Sequence, residues 1–451
     1  MKNLLLVFIA STFSISLNAQ LGPAVTSWLQ NTTGIMGRHY AAGNSTPIND
    51  NILANVQTVQ YSNSWVYIST QGIPAYITGP FVMNPTIAQA QNAIFKISRN
   101  PVPNTGTPTN TTGGNIGIFI NGVALFDYRD GVSWKFSTGA LAGGPTGGMG
   151  DGVWNRDAIL AERGGFDCAK AHPANGNYHH HQNPSAFNLD LNVISNICNA
   201  YASDGLYAID STQHSPLIGF TYDGFPIYGA YGYRDTTGTG EIVRMKSSYS
   251  LRNITTRTTN AAGATVTGGP DVSTTYPLGY FREDYQYNPT SASTPDYLDE
   301  HNGRYCKTPE YPGGTYCYFA TVDQNWNSAY PYVVGPTFYG TKTAVKVTSI
   351  TEAVTTYTET ITLNETILKD SDVSIFPNPS SDYIAIKRTG LNRENANIQL
   401  FDLQGRSVLN TQLSQGSSVA FLNIQTLYQG EYILQFQQGS QTLTKKIIIS
   451  R

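Results

Sequence analysis

The sequence predicts an all-β chain with minor α content, and three observations lead there. Charged residues are scarce at 13%, while tyrosine (29) and glycine (43) are abundant, a balance that suits half-buried strands joined by tight turns. Asn-Gly and Asp-Gly pairs stand between alternating apolar residues in IGIFINGVALFDY (116–128) and IGFTYDGFPIYGAY (218–231), a strong local hairpin signal. Helical patterning is confined to GVWNRDAILAERGG (152–165) and AFNLDLNVISNICNAYASDG (186–205), the second closing at Gly205. At 451 residues the chain is too long for one core and divides into several units.

Taken in order, residues 1–19 read as a signal peptide. Lys2 supplies the positive start, LLLVFIASTFSIS is too short to span a bilayer, and cleavage is expected after Ala19, before Gln20. No cysteine follows that site, so a lipid anchor is not expected, and no other apolar run suits a transmembrane anchor. A formal net charge of −3 gives no reason to expect nucleic acid or an anionic membrane as partner.

Residues 20–345 form the body. The two hairpin segments align without gaps: Ile116 with Ile218, Gly117 with Gly219, Asn121-Gly122 with Asp223-Gly224, Phe126 with Tyr228. Each reads as strand, two-residue turn with φ > 0 at both central positions, strand. A second echo follows each hairpin: GNYHHHQNP (176–184) matches GTYCYFATV (314–322), and both lie downstream of an aspartate-led loop, FDCAKAHP at 166 and LDEHNGRY at 298. The body is therefore expected to be a pseudo-duplicated β-sandwich or barrel-like domain. GALAGGPTGGMGDG (139–152) is a glycine-rich loop without the Lys-Ser/Thr of a phosphate loop, so no nucleotide cofactor is expected. Residues 346–370, Thr-rich and without Gly, Pro or Cys, read as a linker or as the last strands of the body. Residues 371–451 alternate in strand fashion between turns and predict a small immunoglobulin-like β-sandwich.

Chemistry concentrates in DCAKAHPANGNYHHHQNP (167–184), which holds four of the seven histidines. On a strand, His179 and His181 share one face while Tyr178 and His180 take the other. The PANG run (173–176) is a turn, so His172 folds back beside that strand. His172, His179 and His181 are candidate ligands, with His214 a third or fourth and Asp167 or Asp223 possible carboxylate partners. Neutral imidazoles suit zinc or copper rather than calcium. The competing reading is structural, with the imidazoles bonded to buried carbonyls and no metal present. His39, isolated near the start of the body, reads as structural.

Four cysteines in an exported chain permit two disulfides. Sequence leaves three connectivities open. Neighbour pairing, Cys168–Cys198 and Cys306–Cys317, is the expectation.

Two resemblances follow from quoted motifs. PNP (377–379), DLQGR (402–406), GEY (430–432) and the end KKIIISR resemble the type IX secretion C-terminal sorting domain, over about 371–451. That resemblance implies export through the inner membrane by the signal peptide, then translocation across the outer membrane by the type IX machinery. It also implies removal of the sorting domain, with release or attachment to surface lipopolysaccharide. The string DCAKAHPANGNYHHHQNP, HSPLIGFTYDGFPIYGAYGY (214–233) and LDEHNGRYCKTPEYPGGTYCYFATVDQNW (298–326) resembles the YHYH-domain proteins, over about 115–340. Tyr178, His179 and His181 match the first, second and fourth motif positions. His180 replaces the third-position tyrosine, and His172 matches a histidine that precedes the motif. His301 stands where the family commonly has a cysteine, which weakens disulfide arguments by analogy. The resemblance implies a domain identity and brings no activity with it.

Two functions compete. One is a secreted or surface metal-binding domain, with hydrolytic or redox chemistry open to it. The absence of HExxH, GxSxG or an obvious Cys–His pair leans against an enzyme. The other is an adhesion or glycan-binding module using Tyr-rich runs such as 222–235 and 280–300.

Overall fold

The computed structural model describes every residue except 1–20, 83–85, 186–199, 202, 204, 290–293, 344, 359–367, 390–393 and 415–416. The expected signal peptide, most of the 186–205 helix candidate and Cys198 lie outside the described residues.

Eight strands make the central sheet: β1 (Asn115–Phe119), β2 (Ala124–Phe126), β3 (His172–Ala174), β4 (Asn177–His180), β5 (Leu217–Thr221), β6 (Pro226–Tyr228), β7 (Gly303–Cys306) and β8 (Thr315–Phe319). Their spatial order is β3-β4-β2-β1-β5-β6-β8-β7. The duplication read from sequence is the plan of this sheet. β1 and β5 pair antiparallel at its centre, and each half then runs outward through the same steps. A hairpin strand (β2, β6) is followed by a parallel neighbour (β4, β8), then an antiparallel edge strand (β3, β7). No sheet closes into a barrel.

The two equivalent turns differ from the expected two-residue form. Phe119 N donates to Val123 O, Gly122 N donates to Phe119 O, and only Gly122 has positive φ, at 83°. Thr221, Phe225 and Gly224 repeat this pattern, with Gly224 at 89°. These are three-residue loops, a β-turn followed by a left-handed glycine. The turn centres on Ile120-Asn121 and Tyr222-Asp223, so Asn and Asp sit one place later in the turn than Asn-Gly alone suggests.

A five-stranded sheet covers the central one. Its order is Val345–Val347, Ala93–Ser98, Trp65–Thr70, Val56–Tyr61, Thr355–Tyr357. Its Val59, Val66, Ile68 and Phe95 share one apolar core with Ile118 and Phe220 of the central sheet. Two edge strands of this sheet come from 345–357, so that part of the Thr-rich stretch closes the body rather than bridging away from it.

The named α-helices among the described residues are short, Pro23–Thr26 and Ala158–Glu162. The second is the helix anticipated in 152–165. Its N-cap, Asp157, accepts from Ile159 N and Leu160 N and also from the Tyr332 hydroxyl at 2.7 Å.

The C-terminal unit is a two-sheet sandwich. Val373–Phe376, Tyr383–Arg388 and Val419–Asn423 form one sheet; Ser407–Leu413, Ala396–Phe401, Gly430–Gln438 and Gln441–Ile449 form the other. Ile386, Ile398, Leu400, Leu434, Phe436 and Ile447 fill the space between. No helix among the described residues is long and apolar enough to cross a membrane.

The expected Cys306–Cys317 disulfide is absent: both are buried free thiols. The register explains it. Cys306 stands opposite Thr315 and Cys317 opposite Arg304, so the two cysteines are diagonal neighbours. Diagonal positions lie about 7–8 Å apart in an ordinary ladder, beyond the usual disulfide span of about 4.4–6.8 Å between Cα atoms, so the two thiols touch without bonding. Cys168 is buried in the loop that precedes β3.

Candidate metal centre

The site is built by a two-residue hairpin. Asn175 (φ 50°) and Gly176 (φ 81°) are both left-handed, the conformation an Asn-Gly turn favours, and they fold β3 back on β4. That register sets His172 directly opposite His179. Strand alternation then brings His181, just past the end of β4, to the same face. One ligand atom from each of His172, His179 and His181 lies within 4.8 Å of the other two, and all three rings are buried.

Hydrogen bonding fixes how these rings face one another. His179 Nδ1 is 2.8 Å from the Asn177 carbonyl and His181 Nδ1 is 2.7 Å from the Asp127 carbonyl. A carbonyl only accepts, so each Nδ1 carries a proton and donates it. The neutral ring then presents a lone pair at Nε2, and these two Nε2 atoms stand 3.1 Å apart. His172 Nε2 is buried without a hydrogen-bond partner. Burial first, then the neighbouring imidazoles, push His179 well below the ordinary histidine range, so it is neutral at pH 7. Burial acts the same way on His181, but the Glu162 carboxylate outweighs it and the net direction is upward.

Glu162, the last residue of the helix, was not among the expected carboxylates. Its Oε2 lies 3.0 Å from His172 Nε2 and 3.3 Å from His181 Nε2. Neither Glu162 Oε2 nor His172 Nε2 has a partner at hydrogen-bonding angles. Burial opposes the Glu162 charge, yet the imidazoles hold its carboxyl well below the usual range. The sequence signal was thin: a glutamate at the end of a short amphipathic stretch, ten residues before His172. Aromatic rings wall the site. Phe126 stacks on His179 at 3.8 Å between centroids, and Phe166 packs against His172 at 5.1 Å.

The other candidates lie elsewhere. His214 precedes β5 and packs in the second half of the sheet, against Tyr228 (5.1 Å) and Tyr233 (5.0 Å), with Nδ1 at the Ser215 carbonyl. It does not join the triad. Burial lowers its pKa to about 4. Asp167 sits on the opposite side of the strand from the triad. It accepts from the Tyr178 hydroxyl (2.9 Å), Gly79 N (2.9 Å) and Ala169 N (2.9 Å), and burial raises it to about 7. Asp223 serves its turn, bonded to Thr221, to the Tyr318 hydroxyl (2.6 Å) and to Gly340 N (2.8 Å). His180 faces away as expected, with Nε2 2.9 Å from the Tyr76 hydroxyl. His39 is tied to Asp50 on the neighbouring strand, a structural contact.

The second half repeats the scaffold without the site. Tyr316 donates to Asp299 at 2.8 Å as Tyr178 does to Asp167, and Lys170 (φ 62°) and Asn302 (φ 66°) turn the two aspartate-led loops alike. Arg304 stands opposite Cys317 as His172 stands opposite His179. Phe319 follows where His181 would be. A guanidinium, held by the carbonyls of Arg234 (3.1 Å), Pro295 (2.5 Å) and Tyr233, takes the place of an imidazole ligand. The Tyr-rich run 222–235 is core: Tyr222 and Tyr228 are buried, and Tyr231 and Tyr233 partly so.

Comparison with known families agrees with this division. The secretion system C-terminal sorting domain model matches residues 374–450, which marks the chain for export by the type IX machinery, to the cell surface or the medium. No curated protein matches the chain. The YHYH protein model matches residues 94–331, just over half of the chain and the whole of the duplicated sheet, and the chain belongs to the YHYH family.

Proposed function

We propose that the duplicated domain binds a transition metal ion outside the cell, zinc or copper, through His172, His179 and His181. The observation that carries this reading is the pair of Nε2 atoms 3.1 Å apart on rings whose Nδ1 protons are already donated to carbonyls. Two lone pairs facing each other in a buried site repel, at a cost of about 1–3 kcal/mol for an unsatisfied polar group. A cation between them removes that cost. The Nδ1–H···O=C bonds are the outer-shell support that metal-bound histidines characteristically have, because they fix the tautomer and aim the ring. Three imidazoles favour zinc or copper over oxygen-seeking cations. The alternative cation is a proton on His181, shared with His179 and balanced by Glu162.

Equilibrium dialysis of the full chain against zinc, copper, nickel, manganese and calcium in turn, with plasma mass spectrometry, separates the two. One equivalent of zinc or copper per chain, lost in a folded His179→Ala/His181→Ala variant, is the expected result. Negligible metal in both folded proteins would overturn the metal reading.

The finer export steps belong to the same reading. Residues 1–19 are proposed to be removed after Ala19, and the sorting domain to be cleaved after translocation. Glycan or lipopolysaccharide binding by the body gains nothing from Tyr222 and Tyr228, which face the core.

A further inference from the structure

We propose that Glu162 is the fourth ligand of this site, making it a three-imidazole, one-carboxylate centre; the inference rests on the metal reading above. Glu162 Oε2 is within 3.3 Å of two of the three inward nitrogens, closer than an uninvolved carboxylate needs to be. That oxygen is buried, and it makes no aligned hydrogen bond to either ring. The separations of 3.0 and 3.3 Å are close to the roughly 3.3 Å between neighbouring ligands of one tetrahedral ion with metal–ligand bonds of about 2.0 Å.

The backbone carrying Glu162 is fixed for the purpose. Asp157 caps the helix and is itself held by Tyr332, while Ala158 N donates to the Tyr128 carbonyl at 2.7 Å. The helix start is thereby locked to the core, and its fifth residue is delivered over the triad. Charge argues the same way. A dication on three neutral imidazoles keeps its full charge in a buried place, and one carboxylate halves it.

The Glu162 side chain is 24% exposed, against 11% for His172 and 3% for His181. The ligating Oε2 is itself buried, so the exposed part of Glu162 marks only the side on which the site borders solvent.

The test uses cobalt(II), whose visible band reports ligand number and type, on the full chain and on Glu162→Gln. Cobalt affinity is read by competition with a chromophoric chelator. The expected result is one equivalent bound by both proteins, with affinity about tenfold or more weaker in the variant and an altered band; loss of even an outer-shell partner typically costs 10–100-fold. Affinity within twofold and an unchanged band would overturn the proposal while leaving the histidine site standing. No cobalt, zinc or copper bound by the parent would overturn both. Glu162→Asp, which keeps the charge on a shorter arm, carries the same comparison if the Gln variant does not fold.

Discussion

His179 and His181 present their Nε2 atoms to each other across 3.1 Å while each spends its Nδ1 proton on a backbone carbonyl. The arrangement follows from local rules. An Asn-Gly turn returns His172 to the strand, alternation puts the outer two of three consecutive histidines on one face, and the carbonyls of Asn177 and Asp127 choose the tautomer.

Binding to the folded state alone predicts a stability change on metal removal. With free metal at about 100 times Kd, the gain is about 2.7 kcal/mol, or an increase of about 4 °C in unfolding midpoint for a body of this size. Scanning calorimetry before and after chelation should show that drop for the parent. His179→Ala should be indifferent to the chelator.

His180 lies between the two ligands in sequence and outside the site in space. His180→Phe should keep one metal per chain with affinity within about threefold. It should lose about 1–3 kcal/mol of stability, because the Tyr76 hydroxyl loses its imidazole partner. Metal titration alongside urea denaturation checks both halves of this expectation.

The two halves should answer alike to equivalent lesions. Tyr178→Phe and Tyr316→Phe each remove a hydroxyl donor from a buried aspartate, Asp167 and Asp299. Each should cost about 1–3 kcal/mol by denaturant unfolding. A large effect of one and none of the other would contradict the structural duplication.

Asp157 gives a pH signature. Burial, working against its hydrogen-bond donors, raises its pKa to about 7, above the unfolded value of about 3.9. A raised folded pKa means the folded state holds the proton longer. Its stabilising contribution is complete below about pH 4 and is lost as pH rises through about 7. Asp157→Asn keeps an acceptor for the helix and cannot ionise. Measured on metal-free protein, its stability relative to the parent should improve between pH 4.5 and 8. A constant difference would contradict the assignment.

The cysteines make a separable prediction. Non-reducing peptide mapping of the exported protein should link Cys168 to Cys198 and leave Cys306 and Cys317 alkylatable after unfolding. A Cys306–Cys317 link would mean that β7 and β8 adjust their register.

Much of this was legible in the sequence because it rests on short-range rules. The gapless match of 116–128 to 218–231 predicted the pseudo-symmetry, and it became the β1–β5 centre of one sheet. PANG followed by a His-x-His predicted three histidines on one face, and the structure brings His172, His179 and His181 together. What failed depended on long-range placement. His214 neighbours a hairpin related to the one beside the triad, and a sequence cannot say that it belongs to the other half. Asp167 is near the histidines in sequence but alternation aims it away, and Asp223 is held by its hairpin turn, the role its Asp-Gly context indicates. Glu162 arrives from a helix packed over the sheet, a contact no periodicity encodes. The Cys306–Cys317 pairing failed by one diagonal of register.

The central claim is that a metal ion sits among three Nε2 atoms, and anomalous diffraction at the metal edge from crystals of the metal-loaded protein tests it most directly. The account predicts a single strong peak about 2.0–2.1 Å from Nε2 of His172, His179 and His181. No peak there, with His179 and His181 still about 3 Å apart, would identify a shared proton in its place and contradict the account.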